Sequence, residues 1–372
     1  MSLFGGFLYK YLRILKARDG RAADIKDFDP GLVKNILIVS STAIGDTLLS
    51  TPAIRAVRKR YPGARIVAFF NSRNMELFSN NPNIDGVIPY YGGWKSFFST
   101  IRSLRSNSFD LALILHGNEP QATPLCYLSG ARFIIKTPNA NRFNFLLSNR
   151  EPVVTWEGLG HGILARLKTI ELAGCCSDGP EMDIFIEDTF KNSAERFLVK
   201  EGAAPGDLLI GFQPGASTLS RQWFPERFIE LGKILIKKFP ASRIVLTGSP
   251  EEKGLCSRIA EGIGGGAIVA SGKISIKETA ALIGRLNVFV TGDTGPMHIA
   301  YALKTPVVAL YAVSDPARTG PLYDRELHRI IKKERTCEPC VSKKCAYQEC
   351  MEQISVEEVD RAVEDILGVE RA

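Results

Sequence analysis

Residues 36–61 read Ile36-Leu-Ile-Val-Ser40-Ser-Thr-Ala-Ile-Gly45-Asp46-Thr47-Leu-Leu-Ser-Thr-Pro-Ala-Ile-Arg55-Ala-Val-Arg58-Lys59-Arg60-Tyr61. An apolar, β-branched run passes through a Gly-Asp-Thr turn into a helical pattern. Continuous apolar runs of this length suit strands buried on both faces of a parallel sheet. The same order returns in the second half, where Val288-Phe-Val290 leads through Gly292-Asp293-Thr294 into a second helical pattern. Both aspartates are thereby expected at the C-terminal end of a strand and the start of a helix, the edge of an open α/β sheet where ligands bind. Two such edges in one chain point to two α/β domains facing each other across a cleft, one carboxylate on each wall.

The pattern extends outward from these two turns. In the first half, strands are expected at Ile36–Ser40, Arg65–Phe70, Gly86–Tyr90, Leu111–His116 and Arg132–Lys136, with helices over Leu48–Tyr61, Trp94–Ser106 and His161–Ala173. In the second half, strands are expected at Leu208–Phe212, Arg243–Thr247, Ala267–Ala270, Val288–Val290 and Val307–Tyr311. Helices follow over Pro225–Phe239, Pro250–Ile263, Ile276–Arg285 and Pro296–Leu303. This alternation is the βαβ signature of a mostly parallel sheet. It divides the chain into a basic N-terminal segment 1–34, a first domain 35–173, a connection 174–207, a second domain 208–355 and a C-terminal helix 356–372. That last helix, Val356–Leu367, is amphipathic and suited to crossing back onto the first domain.

The 372 residues suffice for about two domains. No apolar run reaches the roughly 18–20 residues of a membrane span, and the N-terminus has no signal-peptide core. A cytoplasmic protein is therefore expected. The net charge of +7 is mild and does not call for nucleic acid. Its distribution is more informative: Lys10, Arg13, Lys16 and Arg18 share residues 1–18 with Phe4, Phe7, Leu8, Tyr11, Leu12 and Leu15, and no acid occurs there. A basic amphipathic helix of this kind either lies on a membrane surface or packs on its own domain or a subunit partner.

Four of the eight cysteines cluster as Cys337-x2-Cys340-x4-Cys345-x4-Cys350. The spacing fits a four-thiolate structural site, most simply zinc; an iron–sulfur cluster, disulfides and unliganded thiols are the alternatives. No open metal position suited to catalysis is evident.

In the second half, Thr291-Gly-Asp293-Thr294-Gly295-Pro-Met-His298 joins a strand to a helix. The free N–H groups at Thr294–Gly295 and the positive helix end suit a phosphate, and His298 lies one turn in, within reach of a phosphate oxygen. Asp293 would repel a phosphate, so it suits sugar or ribose hydroxyls, or caps the helix. The loop Gln213-Pro-Gly-Ala-Ser-Thr-Leu-Ser-Arg221-Gln-Trp223 offers Arg221 as counter-charge to a diphosphate. After the strand ending at Thr247, Glu251 either accepts from ribose hydroxyls or is an ordinary first-turn acid. Neither the Gly-x-x-x-x-Gly-Lys-Ser/Thr loop nor Gly-x-Gly-x-x-Gly is present, so a diphosphate ligand here points to a nucleotide sugar. In the first half, Asp46 at a helix start suits the base that takes a proton from a sugar hydroxyl; its alternative role is helix capping. Arg55, Arg58, Lys59 and Arg60 offset the helix dipole, or meet an acidic acceptor or anionic lipid.

Taken together, Ile44-Gly-Asp-Thr-Leu-Leu-Ser-Thr-Pro-Ala-Ile-Arg55, Arg221-Gln-Trp-Phe-Pro-Glu-Arg-Phe228, Asp293-Thr-Gly-Pro-Met-His298 with Ala300-Tyr-Ala-Leu-Lys-Thr-Pro306, and the pairs Asp315-Pro316 and Gly320-Pro321 resemble the bacterial glycosyltransferases of family 9, the ADP-heptose:lipopolysaccharide heptosyltransferases. The resemblance spans about residues 35–365. It implies two Rossmann-like domains of the GT-B type, the acceptor on the first and the nucleotide-sugar donor on the second. Asp46 falls at the family's general base; Asp293, Thr294, Gly295 and His298 fall at donor positions. Arg221 stands where many members carry lysine, keeping the charge with a different geometry.

The resemblance implies an inverting, metal-independent transferase that moves heptose from ADP-heptose to a lipid-linked saccharide, an inner-core lipopolysaccharide acceptor, without a catalytic cofactor. The basic N-terminal helix would bring it to the inner-membrane surface. A transferase using another nucleotide sugar, a nucleotide-sugar epimerase and a non-catalytic nucleotide-sugar-binding protein are the competing readings.

Overall fold

The computed structural model describes residues 3–19, 23–94, 96–117, 121–155, 157–338, 340 and 345–368. The chain forms two compact units, Met1–Met182 and Asp183–Ala372. Each is built on one parallel sheet, as expected.

In the first unit the strands are β1 (Asn35–Ser40), β2 (Arg65–Asn71), β3 (Gly86–Tyr90), β4 (Leu111–His116) and β5 (Phe133–Ile135). They run in the order β3-β2-β1-β4-β5, and every pairing is parallel. The chain winds one way from β1 through β2 to β3, then crosses over to build β4 and β5 on the other side of β1. The reversal leaves a crevice outside the carboxyl ends of β1 and β4, where Rossmann-like sheets bind ligands.

The second unit repeats the device. Its strands are β6 (Leu208–Gln213), β7 (Ser242–Leu246), β8 (Ala267–Val269), β9 (Val288–Gly292), β10 (Val307–Tyr311) and β11 (Arg329–Lys332). The order is β11-β10-β9-β6-β7-β8, again parallel throughout. The reversal lies between β6 and β9. Strand β11 was not evident in the sequence: it is a four-residue edge strand, Arg-Ile-Ile-Lys, too short and too charged to show a period.

Three expectations change. The helix expected over Leu48–Tyr61 is shorter, Thr51–Arg60, and a separate short helix, Ile44–Leu48, precedes it. Pro52 has no N–H to donate, so it sits in the first turn of a new helix rather than inside a continuous one. The stretch 174–207 holds the helix Asp188–Lys200. It turns Ala194 and Leu198 inward, and Glu187 at its start meets the buried Lys277 ammonium at 2.7 Å. The C-terminal helix Val356–Leu367 packs on the second unit. Val356, Val359 and Val363 complete the core beside β9, β10 and β11, and Lys238 reaches both Asp360 and Glu364 at 2.6 Å.

The N-terminal helix Leu3–Arg18 uses its two faces differently. Leu8 and Leu12 are buried in the first unit's core. Tyr9 packs edge-on against Phe143 and Phe145, at centroid distances of 6.0 and 5.6 Å. The opposite face leaves Phe7 70% exposed, Tyr11 48% and Ile14 56%, one stripe at i, i+4 and i+7. Lys10, Arg13 and Arg18 are exposed around it. None of the described helices is long and apolar enough to cross a membrane.

Candidate active site

At the reversal of the first sheet, Asp46 is the third residue of the helix Ile44–Leu48. Ala43 occupies the cap position and has no side chain to offer, and the Asp46 carboxylate turns to side chains instead. Thr42 donates its hydroxyl to Oδ2 at 2.9 Å. His116 Nε2 and Arg166 Nη2 each stand 3.4 Å from Oδ1. Thr42 Oγ1 also lies 2.7 Å from His116 Nδ1. Arg166, from the helix Gly162–Glu171, is held by Ser50 Oγ (2.8 Å) and the Gly162 carbonyl (2.6 Å). Burial pushes the Arg166 guanidinium down from its usual range and Asp46 draws it back up; an arginine stays charged throughout. Asn74 donates to the Thr42 carbonyl at 2.9 Å and so braces the turn from behind.

His116 and Arg166 were not singled out in the sequence. His116 ends β4, and only the strand order shows that β4 lies beside β1. The pairing of β1 with β4 also slips by one residue at its end, so that Ser40 pairs with His116 after Val39 has paired with Ile114. A slip of this kind re-aims the side chains beyond it. The same rule that found Asp46, a polar residue at the carboxyl end of a strand, applies to His116 and was the available signal.

The Asp46 side chain is 33% exposed, against 20% for His116 and 5% for Arg166. Both ring nitrogens of His116 face groups of the protein, Nε2 toward Asp46 and Nδ1 toward Thr42. The carboxylate is therefore the most open group of the set and the one placed to meet an incoming hydroxyl. The basic helix end nearby is used internally. Arg55 pairs with Asp178 at 3.0 Å, Arg58 with Asp85 at 2.5 Å, and Arg60 donates to the Gly174 carbonyl.

At the reversal of the second sheet, the loop after β6 and the turn after β9 meet. Gly292 makes this possible: a Cβ there would lie 2.6 Å from the Arg221 carbonyl oxygen. Arg221 Nη1 stands 3.5 Å from Asp293 Oδ2, and Thr319 donates to Asp293 Oδ1 at 3.3 Å. Asp293 is buried and anchors Arg221, a role the sequence did not suggest. The helix Gly295–Ala302 has Thr294 at its cap position, and the Thr294 hydroxyl bonds to Thr291 at 3.0 Å rather than to the helix's first N–H groups. His298 is buried, its Nε2 3.9 Å from Asp293 Oδ1, behind that carboxylate.

Glu251 is exposed at the start of the third loop, while its neighbour Glu252 turns inward. Glu252 accepts from Ser249 N–H at 2.8 Å and from Gln213 Nε2 at 3.3 Å. A Cβ on Gly215 would sit 1.9 Å from its carboxylate, so the loop after β6 rests on Glu252. Trp223 pins the other end of that loop, donating its indole N–H to the Ile354 carbonyl at 3.0 Å. The arrangement presents one partly exposed guanidinium and an uncapped helix start on one edge, which suits a diphosphate.

The cysteine segment adjoins this loop: Gln348 donates to the Gln222 carbonyl at 3.0 Å. Burial, then the neighbouring Cys340, Cys350 and Cys345 thiols, push the Cys337 thiol above its usual range. Cys350 Sγ accepts from Thr336 N–H, and Cys345 Sγ from Tyr347 N–H, both at 3.4 Å. Among the described residues, no three His, Cys, Asp or Glu side chains are gathered tightly enough to hold a metal ion.

The family model described as glycosyltransferase family 9 (heptosyltransferase) matches residues 97–351. The chain is 26% identical over 301 residues to the lipopolysaccharide core heptosyltransferase OpsX of Haemophilus influenzae, covering 77% of this chain and 82% of that one. It is 27% identical over 285 residues to lipopolysaccharide heptosyltransferase 3 of Escherichia coli, covering 73% and 81%. Its fold is similar to the crystal structure of a family 9 glycosyltransferase from Veillonella parvula DSM 2008, with a TM-score of 0.75 and 24% identity over 91% of this chain and 98% of that one.

Proposed function

The chain belongs to glycosyltransferase family 9, and from that premise we propose that it is an inverting transferase that moves heptose from ADP-heptose to an inner-core sugar of lipopolysaccharide, with no metal in the chemical step. The observation that carries this reading is Asp46. It is a partly open carboxylate at the reversal of the first sheet, tied to a buried arginine, a histidine and a threonine. Such a group accepts the proton of an acceptor hydroxyl as that oxygen attacks the anomeric carbon from the face opposite ADP. The C–O bond to the acceptor forms, the C–O bond to the diphosphate breaks, and ADP leaves with the electron pair. Arg221 and the N–H groups at Thr294–Gly295 are suited to stabilise that leaving charge. Asp293 holds Arg221 in place, and His298, 3.9 Å from Asp293 Oδ1, stays with it among the donor-binding candidates. Glu251 remains a candidate for the ribose hydroxyls.

A mass-spectrometric transfer assay with a panel of nucleotide sugars and truncated lipopolysaccharide acceptors tests this reading. Addition of one heptose to the acceptor, with ADP-heptose as donor, is the expected result. Conversion of the donor with no acceptor present would make the protein an epimerase. Donor binding without turnover would make it a binding protein, and preference for another sugar would move the donor assignment.

The exposed stripe Phe7, Tyr11 and Ile14, ringed by Lys10, Arg13 and Arg18, supports docking on the anionic inner-membrane surface from the cytoplasmic side. In vesicle sedimentation, replacing the three stripe residues together by Glu is expected to lower binding to anionic vesicles about tenfold or more, since each apolar side chain contributes about 1.5–3 kcal/mol when fully buried. Equal binding by the triple variant would discard the helix as the anchor.

The spacing of the four cysteines, Cys337-x2-Cys340-x4-Cys345-x4-Cys350, supports a structural zinc beside the donor loop. The N–H groups directed at Cys345 and Cys350 are of the kind that support a bound thiolate. Elemental analysis of the protein purified without chelator is expected to find one zinc per chain; a metal-free, fully folded protein would remove this assignment.

A further inference from the structure

The Thr42 hydroxyl lies between two groups that can each hold a proton: Asp46 Oδ2 at 2.9 Å and His116 Nδ1 at 2.7 Å. On the other side of the same ring, His116 Nε2 faces Asp46 Oδ1 at 3.4 Å. Asp46, Thr42 and His116 therefore close a small ring of polar contacts. The charged groups here are Asp46, carried on the helix Ile44–Leu48, and Arg166, on the helix Gly162–Glu171, which reaches the same Oδ1 at 3.4 Å.

A hydroxyl has one proton and can point it either way. With His116 neutral and carrying its proton on Nε2, that N–H faces Asp46 Oδ1; Thr42 donates to Oδ2 while the carboxylate is charged, and turns to the bare Nδ1 once Oδ2 is protonated. When Asp46 Oδ2 takes the acceptor's proton, the new O–H faces the Thr42 oxygen. Passing that proton to Thr42, as Thr42 passes its own to Nδ1, leaves an imidazolium and restores the carboxylate. Thr42 then donates to Oδ2, and both ring N–H groups of His116 donate, one to Asp46 and one to Thr42. No heavy atom needs to move; the Thr42 hydroxyl proton turns from one neighbour to the other. We propose that Thr42 and His116 form a proton relay that takes over the proton Asp46 removes from the acceptor hydroxyl. This rests on the reading of Asp46 as base; His116 acts through it and is a positioning and relay residue, since both ring nitrogens are turned to protein groups.

The relay has a purpose at this place. Arg166 is buried against Asp46, and a carboxylate neutralised by the transferred proton would leave that guanidinium without its counter-charge. Moving the proton on to His116 restores the Asp46–Arg166 pair before product leaves. The imidazolium so formed stays beside the regenerated carboxylate, which stabilises it.

Two measurements test the relay. The chain has only four histidines, so nitrogen NMR of ring-labelled protein resolves His116 by comparison with His116→Gln. A neutral ring protonated on Nε2 is expected in the resting protein; a ring protonated on Nδ1 alone, or a standing cation, overturns the relay whether or not any sugar is transferred. In single-turnover assays, His116→Gln and Thr42→Val are expected to slow transfer about tenfold or more with KM for donor and acceptor within about twofold. The curved dependence of the rate on deuterium content, the mark of two protons in motion, is expected to become linear in both variants. A wild-type rate in either variant overturns the relay, and so does a slowed rate with the curvature intact, which would reduce the two residues to structural support. Failure of the transferase reading shows differently, as absence of glycosyl transfer by the unaltered protein.

Discussion

Asp46→Asn is expected to lower the single-turnover transfer rate about 10²–10⁴-fold, the range contributed by a positioned general base, while donor affinity stays within about twofold. The amide keeps the size of the carboxylate and an oxygen for the Thr42 hydroxyl, but it cannot accept the acceptor's proton. Asn is a better replacement than Ala because Arg166 is buried against this side chain. Asp46→Ala would empty the space beside the guanidinium as well as remove its counter-charge. Breaking a buried pair costs about 3–5 kcal/mol, but the Asp46 side chain is 33% exposed, which lowers the expected loss to about 1–2 kcal/mol. Arg166 keeps its bonds to Ser50 and the Gly162 carbonyl in either variant. Thermal unfolding of the two variants beside their rates separates lost chemistry from lost fold. Undiminished transfer by a folded Asp46→Asn protein would remove Asp46 as the base.

Arg221→Ala is expected to weaken ADP binding about 10–150-fold by titration calorimetry, from the roughly 1.5–3 kcal/mol carried by a hydrogen bond to a charged group. Arg221→Lys is expected to fall between, since an ammonium keeps the charge and loses the planar fork. The structure adds a consequence the sequence did not suggest. Asp293 is buried and draws its cation from Arg221, so Arg221→Ala also leaves a buried carboxylate with Thr319 as a remaining donor. The double change Arg221→Ala with Asp293→Asn is therefore expected to recover stability without recovering ADP affinity. If single and double variants bind ADP as tightly as the unaltered protein, the diphosphate is held elsewhere.

Much of the fold was legible because its period is local. Apolar runs such as Ile36–Val39 and Val307–Tyr311, each followed by a helical pattern, identify buried parallel strands without reference to anything distant. The exceptions have local causes. Strand β11 is short and charged at both ends, Pro52 starts the helix Thr51–Arg60 later than its hydrophobic period suggested, and the helix Asp188–Lys200 was hidden by the Gly- and Pro-bearing segments on either side of it. In the site, Asp46 and Asp293 were visible because each lies in a Gly-Asp-Thr turn at the end of an obvious strand. His116 lies at the end of an equally obvious strand but in no motif, and Arg166 lies in the body of a helix 120 residues from the carboxylate it meets.

The sequence alone determined two Rossmann-like halves, the strand ends that carry the two Gly-Asp-Thr turns, and the family, because strand-to-helix turns and their spacing are properties of contiguous chain. The tertiary structure decided how the polar groups are shared. Strand order put β4 beside β1 and β9 beside β6, a one-residue slip turned His116 toward Asp46, and Gly292 let Arg221 close on Asp293. The two Gly-Asp-Thr aspartates are nearly identical as sequence and different as chemistry. Asp46 is partly open among a threonine, a histidine and an arginine, while Asp293 is buried and paired with Arg221. Burial and pairing depend on side chains far away along the chain, and these set whether a carboxylate is placed to move a proton or to hold a cation.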